Sequence, residues 1–231
     1  MLPSGFARRG IRPKRVNLVT NRPLYAAMLC HACLLSPHLL EYRMGMPATI
    51  NDWTVEMLDA LPDNGQRYEI IDGELFVTPG PGERHQDIVG ELYALLRDYL
   101  MDSGVGKPMV SPADVRRGDR RRNRVQPDVF VVRLRDGKRP AYPYDLHHLL
   151  LAVEVVSPSN PLLDYQVKRD LYLREGVSEY WVFNPEARNV SRWRGRDDPG
   201  ELLSKEVRWQ PEGMLVPFTI DLARFFQAAF S

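Results

Sequence analysis

The alternation of apolar and polar residues beyond residue 50 predicts short strands mixed with a few helices. Arg67–Ile71 and Glu74–Thr78 alternate on either side of Asp72-Gly73, a dipeptide typical of a tight two-residue hairpin. A Pro-Gly-Pro-Gly run then breaks the pattern. Between Glu83 and Met101 the apolar residues recur at helical spacing, which predicts one long amphipathic helix.

The second half of the body is richer in strands. Strand-like runs lie at Pro108–Val115, Val125–Val132 and Leu149–Val156. The last run is apolar apart from Glu154, so it predicts a central strand covered on both faces. The other predicted elements are helices at Trp53–Leu61, Asp164–Glu175 and Asp221–Ala229, a buried strand at Glu179–Asn184, and an outer hairpin of Val190–Arg194 with Leu202–Trp209. This order predicts one α/β (α+β) domain with a mixed central β-sheet flanked by helices.

Charge is distributed unevenly along the chain. Residues 1–45 carry seven Lys and Arg and one acid, which leaves 24 bases and 29 acids for residues 46–231. An acidic body argues against broad, sequence-independent coating of DNA, which needs many phosphate-neutralising bases. It leaves room for a local basic groove, or for an active site whose acids hold a divalent metal.

The first 45 residues stand apart from the body in their pattern. A basic start followed by apolar Leu24–Leu40 has some features of a secretory signal, but His31 and Ser36-Pro37 interrupt it and no clean cleavage site follows. Met44 and Met46 stand just before the regular pattern begins. We therefore expect residues 1–45 to be a poorly ordered extension, or to lie upstream of the true start, and residues 46–231 to form the folded domain.

Both cysteines, Cys30 and Cys33, fall in this first segment. The body therefore has no disulfide framework, as expected for a protein of the reducing cytoplasm. Cys30-His31-Ala32-Cys33 has no second ligand pair at a suitable spacing, which favours an accidental cluster over half a metal site. No apolar run reaches the ~18 residues of a membrane-spanning helix, so no membrane partner is expected.

Two acids in apolar strands carry the chemical signal. Glu154 interrupts Leu149–Val156, and Asp128 follows Pro127 at the start of another apolar run. A buried carboxylate costs several kcal/mol unless it is paired or binds a metal. Adjacent strands would bring the two carboxylates together, where a cation must separate them, and hard oxygen ligands suit Mg²⁺ or Mn²⁺. Either acid alone is equally well explained by pairing with an arginine.

Five segments in one order resemble the Uma family of putative restriction endonucleases, a branch of the PD-(D/E)XK nuclease superfamily. They are Tyr68–Leu75, Pro127-Asp128, Glu154–Ser159, Asp164–Lys168 and Gly176–Val182. The resemblance covers roughly Thr49 to Phe226, most of the body. It implies the restriction-endonuclease-like core and a metal-dependent endonuclease that hydrolyses DNA phosphodiester bonds.

The resemblance also implies roles for single residues. Asp128 and Glu154 match the motif acids and would hold Mg²⁺ (or Mn²⁺), and Glu69 matches an upstream acid that would be a further ligand. The superfamily's usual lysine falls two residues after the second acid, where this chain has Val156. In the Uma family the following helix supplies the lysine, and Lys168 is the residue that fits. Asp128, Glu154 and Lys168 are then the expected catalytic residues.

Further residues are candidates for contact with nucleic acid. The basic run Arg116–Arg124 contains Arg120, Arg121, Arg122 and Arg124, which on a hairpin loop would clamp the phosphate backbone or would only keep the loop soluble. His85, at the start of the long helix, would touch a phosphate or assist proton transfer, or would be an exposed helix-start histidine. Asp164 is interpreted as a helix N-cap.

Several functions fit these residues. The first expectation is an active DNA endonuclease, with RNA as an alternative phosphodiester substrate and a homodimer as a possible assembly. The second is a catalytically weak nucleic-acid-binding or assembly module with the same fold, favoured by Val156 and the acidic body.

Overall fold

The computed structural model describes residues 52–117, 120–157 and 160–231, without the side chains of residues 120 and 121. The predicted extension 1–45 lies outside these residues. In chain order the elements are α1 (Val55–Asp59), β1 (Arg67–Ile71), β2 (Glu74–Thr78), α2 (Glu83–Leu100), β3 (Gly106–Val110), β4 (Val115–Arg117), β5 (Arg120–Val125), β6 (Val129–Arg133), β7 (Tyr144–Asp145), a 3-10 turn (Leu146–His148), β8 (Leu149–Val155), a π-helical turn (Leu163–Lys168), α3 (Arg169–Arg174), β9 (Tyr180–Asn184), β10 (Asn189–Trp193), β11 (Glu201–Leu203), β12 (Glu206–Trp209), β13 (Phe218–Asp221) and α4 (Leu222–Ala229).

A six-stranded mixed sheet, the central sheet, runs in the order β11-β10-β9-β8-β6-β3. Within this sheet β8 and β9 are the parallel pair, and the π-helical turn and α3 connect them. All seven residues of β8 are buried, as predicted for a central strand. The mixed sheet flanked by helices confirms the predicted fold class.

The central sheet separates two hydrophobic cores. One face packs against α2 and α4, with Leu151, Val153 and Val155 pointing toward them. The other face packs against the π-helical turn and α3, and Ala152 and Val156 belong to this second core. Because side chains alternate along a strand, Glu154 projects on the same face as Ala152 and Val156. The residue sequence of β8 therefore aims one carboxylate at the helix that carries Lys168.

A five-stranded sheet, the outer sheet, runs in the order β2-β1-β5-β4-β7. The β1–β2 hairpin has the predicted boundaries, with Asp72 and Gly73 both at positive φ in its turn. The N-cap of α1 is Thr54, as predicted, and its hydroxyl accepts a hydrogen bond from the Met57 amide. The basic run, predicted on a hairpin loop, forms the antiparallel strands β4 and β5.

Three predicted elements are divided in the structure. The run Pro108–Val115 is split between β3 and β4, and the run Val125–Val132 is split between β5 and β6. Pro112 and Pro127 stand in the gaps, where each lacks the amide hydrogen that a ladder bond would need. The predicted strand Leu202–Trp209 forms β11 and β12, which pair with β10 and β13 respectively.

None of the helices in the described part of the chain is long and apolar enough to cross a lipid bilayer.

Candidate active site

Two neighbouring strands of the central sheet bring Asp128 and Glu154 together. Asp128 immediately precedes β6, and β6 pairs with β8, which carries Glu154. The amide of Val155 donates a 2.9 Å hydrogen bond to Asp128 Oδ2, so the Asp128 carboxylate sits beside the backbone that follows Glu154. Asp128 and Glu154 are 3% and 1% exposed. The structure thus joins the two acids that the sequence pattern singled out.

Asp128 is held by two basic side chains. Arg67 Nη1 donates to Asp128 Oδ1 at 2.7 Å, and His85 Nε2 lies 2.9 Å from Oδ2. Burial by itself would raise the pKa of Asp128, but the hydrogen bond with His85 and the charge of Arg67 lower that pKa well below its usual range. Asp128 is therefore ionised at every physiological pH.

Lys168 lies at the centre of the acids. Its Nζ is 2.9 Å from Glu69 Oε2, 3.1 Å from Glu154 Oε1 and 3.8 Å from Asp164 Oδ1. Burial would lower the pKa of Lys168, but the charges of Glu154, Glu69 and Asp164 raise it well above the usual range. The ammonium group is therefore permanently charged although it is 2% exposed.

Glu154 and Asp164 carry less well-compensated charge. Burial raises the pKa of Glu154 well above its ordinary value, against the opposing charge of Lys168. Burial likewise raises the pKa of Asp164 to about 6. The hydroxyl of Tyr172 donates a 2.8 Å hydrogen bond to Glu154 Oε1, the same oxygen that faces Lys168. A positive charge added beside either carboxylate would therefore stabilise its ionised form.

Glu69 reaches the site from the outer sheet. Its Oε1 accepts a 2.8 Å hydrogen bond from the Gln126 amide, just upstream of Asp128. Its buried Oε2 pairs electrostatically with Lys168 but receives no hydrogen bond of good geometry. A buried oxygen that faces a cation without a directed donor retains capacity for a further ligand.

A cavity of about 490 Å³ opens onto this cluster. Asp128, Glu154 and Lys168 line its floor, and the Pro79–Gly82 loop, Val156 and Tyr165 are among its wall residues. This size falls within the range of ~300–1,000 Å³ typical of small-molecule sites. The acids are buried but remain reachable from the cavity.

Most of the predicted site residues meet here. Asp128, Glu154, Lys168 and Glu69 form the cluster, and His85 lines the cavity. The interpretation of His85 as a solvent-exposed helix-start residue is wrong, because its side chain is 18% exposed and contacts Asp128.

The predicted basic clamp lies elsewhere. Arg122 pairs with Asp52 at 3.0 Å, and Arg124 pairs with Asp59 and with Asp114. Neither arginine lines the cavity. The side chains of Arg120 and Arg121 lie outside the described part of the structure, so a phosphate clamp by these four arginines stays a prediction.

Three site residues were not expected from the sequence. Arg67 begins an ordinary strand, and its only signal was the general tendency of a strand acid to pair with an arginine. Tyr172 had no signal beyond its place in an amphipathic helix. Asp164 was interpreted as an N-cap, which is wrong: the helical segment already begins at Pro161, and Asp164 is buried inside it. Its spacing of four residues from Lys168 could have identified it.

The carboxylates of the cluster are the possible ligands of a divalent metal. No three His, Cys, Asp or Glu side chains within residues 52–117, 120–157 and 160–231 already stand together as a metal-binding group. Lys168 lies between Glu69 and Glu154 instead. Yet the four carboxylates of the cluster, those of Glu69, Asp128, Glu154 and Asp164, outnumber the basic side chains that contact them, which are Arg67, His85 and Lys168. A hard divalent cation matches this excess, and carboxylate oxygens are its preferred ligands. The residues therefore fit Mg²⁺ or Mn²⁺.

Comparisons with known proteins identify a family and a similar fold. Residues 55–223 match the model of the Uma2 family, which is described as "Putative restriction endonuclease". A crystal structure described as a putative nuclease belonging to DUF820, from Anabaena variabilis, is similar with a TM-score of 0.62 and 16% identity. The similarity covers 77% of this chain and 99% of that chain, and at this identity it shows the fold alone. No curated protein matches the chain.

Proposed function

Because the chain belongs to the Uma2 family of putative restriction endonucleases, we propose that it is a metal-dependent endonuclease that hydrolyses DNA phosphodiester bonds. The observation that carries the proposal is a buried acid cluster: Lys168 contacts Glu69 and Glu154, and Asp128, Glu154 and Lys168 line one cavity. Such a cluster is costly to fold, since an excess of buried negative charge opposes folding. A functional ligand for the acids explains why it is present.

Asp128 and Glu154 would hold Mg²⁺ or Mn²⁺, with Glu69 as a third ligand. The metal would supply Lewis acidity toward a non-bridging phosphate oxygen and lower the pKa of a water molecule. Asp128 is suited to this role because Arg67 and His85 keep it ionised. Glu154 is suited because it lines the cavity and is buried, so a bound cation would offset the burial that raises its pKa.

Two fixed cations would act on the phosphate. Lys168 would stabilise the negative charge that develops on the phosphoryl oxygens, in place of the lysine that the superfamily usually has at the position of Val156. Arg67 lines the cavity beside Asp128 and would help to orient the phosphate. The charge of Lys168 does not vary near neutral pH, so it acts by electrostatics and positioning and not as a proton carrier.

A catalytically weak nucleic-acid-binding module is the second candidate. The observation in its favour is that Lys168 and Arg67 already neutralise part of the cluster, and no three-ligand metal group is formed among the residues that the structure covers. In that case Lys168 would be a structural counter-ion. The two candidates differ in whether the purified protein binds metal and cuts.

The test is cleavage of supercoiled plasmid DNA by the purified full-length chain with Mg²⁺ or Mn²⁺. We expect nicking that requires the metal and that falls at least ~100-fold in Asp128→Asn and in Glu154→Gln, the scale for removing one transition-state contact. Asp98→Asn, an exposed acid on α2 that pairs with Arg97, is the matched control and should cut normally. A folded protein that cuts neither plasmid, single-stranded DNA nor RNA would favour the second candidate, and cleavage of RNA alone would change the substrate.

A further inference from the structure

The reactive acids lie at the bottom of a recess and not on an open surface. Asp128 and Glu154 are almost fully buried, and both line the cavity of about 490 Å³. In a duplex the phosphates lie on a convex cylinder and their nucleotides are fixed by pairing and stacking. Enzymes that enclose a single base in such a pocket take its nucleotide out of the stack or use single strands. The volume of the recess suits one nucleotide.

The walls of the cavity suit a base. Tyr165 is half-buried and lines the cavity one residue beyond Asp164 in the π-helical turn. Val156, Leu163 and Pro81 add apolar surface to the same walls. Stacking of a base on an aromatic ring contributes ~1–3 kcal/mol and is independent of sequence. An apolar wall with an aromatic ring thus offers binding energy that a base can reach only when it is unpaired.

The charges around the cavity are unsuited to a long duplex. Lys168, Arg67 and His85 face carboxylates, and the guanidinium of Arg84 lies 5.6 Å from the centre of the Phe230 ring. Outside the first 45 residues the chain carries more acids than bases. Duplex binding relies on many phosphate contacts. The described surface favours a ligand that presents one or two phosphates together with an exposed base.

We propose that the cavity takes one unpaired nucleotide of DNA, with its base stacked on Tyr165 and its phosphate at the acids, so that the enzyme acts on single strands, overhangs and unpaired segments. This inference rests on the proposed nuclease function and narrows its substrate. Tyr165 is then a specificity-determining residue that contacts the base, remote from the bond that breaks.

The test compares oligonucleotides of one sequence as a single strand, a blunt duplex, and a duplex with an overhang. Binding to the full-length chain is followed by fluorescence anisotropy with Ca²⁺, and cutting is followed with Mg²⁺ or Mn²⁺. We expect at least ~10-fold tighter binding of the single strand and overhang than of the blunt duplex, from the stacking energy. The logarithm of the affinity should fall with that of the salt concentration with a slope shallower than about −2, as for one or two phosphates.

Variants of Tyr165 separate stacking from a structural role. Tyr165→Ala should weaken single-strand binding ~10-fold and raise KM with little change in kcat, while Tyr165→Phe keeps the ring and should bind normally. Tyr142→Ala removes an exposed tyrosine outside the cavity and is the control.

Equal affinity for duplex and single strand, no binding of either, or an unchanged preference in Tyr165→Ala would overturn this inference. Metal-dependent cleavage of blunt duplex at the single-strand rate would overturn it and leave the nuclease intact. A single-strand preference in binding without cleavage of any substrate would support the pocket assignment and refute the proposed function.

Discussion

Replacing Lys168 by methionine tests the electrostatic account of the cluster. The substitution keeps the length and apolar stem of the side chain but removes its charge. Glu69, Glu154 and Asp164 then lose the cation that lies within 2.9–3.8 Å of each of them. Breaking a buried ion pair by removing one partner costs ~3–5 kcal/mol, because the remaining charge is left uncompensated.

The loss should depend on pH with a defined sign. Without Lys168 the pKa values of Glu154 and Asp164, already raised by burial, rise further. Near pH 5 the acids can take up protons in the folded state, which removes the uncompensated charge. Near pH 8 the free-energy cost of protonation is higher, so the acids stay charged or bear that cost. The free energy of unfolding should therefore fall more at pH 8 than at pH 5.

The assay is thermal unfolding of the full-length chain at both pH values without divalent metal. For a chain of this size ~3–5 kcal/mol corresponds to a decrease in Tm of about 6–20 °C. Lys205→Met removes an exposed lysine and should leave Tm within about 2 °C of the wild type, as expected for a surface change. An unchanged Tm at pH 8 in Lys168→Met would refute the reasoning, since it would mean that the acids do not depend on this ammonium.

Three further predictions follow from the same structure. Glu154→Gln should raise Tm at pH 8 without metal, because a carboxyl with a raised pKa loses stability as the pH rises and the amide does not ionise. The same variant should abolish any rise of Tm on adding Mn²⁺. A lower Tm at pH 8 would contradict this. Burial raises the pKa of Asp164 from 3.8 to about 6, so the free energy of unfolding of the wild type should fall by up to about 3 kcal/mol between pH 4 and 7. Urea unfolding should show that Asp164→Asn lacks this decrease, and parallel pH curves would argue against it. Gly200→Ala would place a Cβ against the Trp193 ring at positive φ and should cost more stability than Gly137→Ala, which has positive φ but open space. Equal losses would remove the steric explanation.

Periodicity predicted the elements well where local rules dominate. The β1–β2 hairpin and α2 have the expected boundaries because a two-residue turn and a long amphipathic face fix them within the segment itself. The runs at Pro108–Val115 and Val125–Val132 were overextended, since apolar composition continues across Pro112 and Pro127 while the hydrogen-bonded ladder does not.

The candidate site was predictable only in part. Asp128 and Glu154 stood out because each is an acid in an apolar strand, and Lys168 followed from the family resemblance. Arg67 and Asp164 were not predicted, since their roles arise from the pairing of distant elements: Arg67 reaches Asp128 across 61 positions of sequence. Asp164 is not at an N-cap because the helical segment begins three residues earlier, with Pro161 in its first turn.

We propose that Asp128 and the acids around Lys168 hold a divalent metal. The most direct test of this claim is calorimetric titration of Mn²⁺ into the full-length wild-type chain, Asp128→Asn and the exposed-acid control Asp98→Asn. We expect saturable binding that is lost in a folded Asp128→Asn and kept in Asp98→Asn, with Glu154→Gln as a second variant that should also lose it. No Mn²⁺ binding by the folded wild type, or binding unaffected by loss of both cavity acids, would contradict the claim.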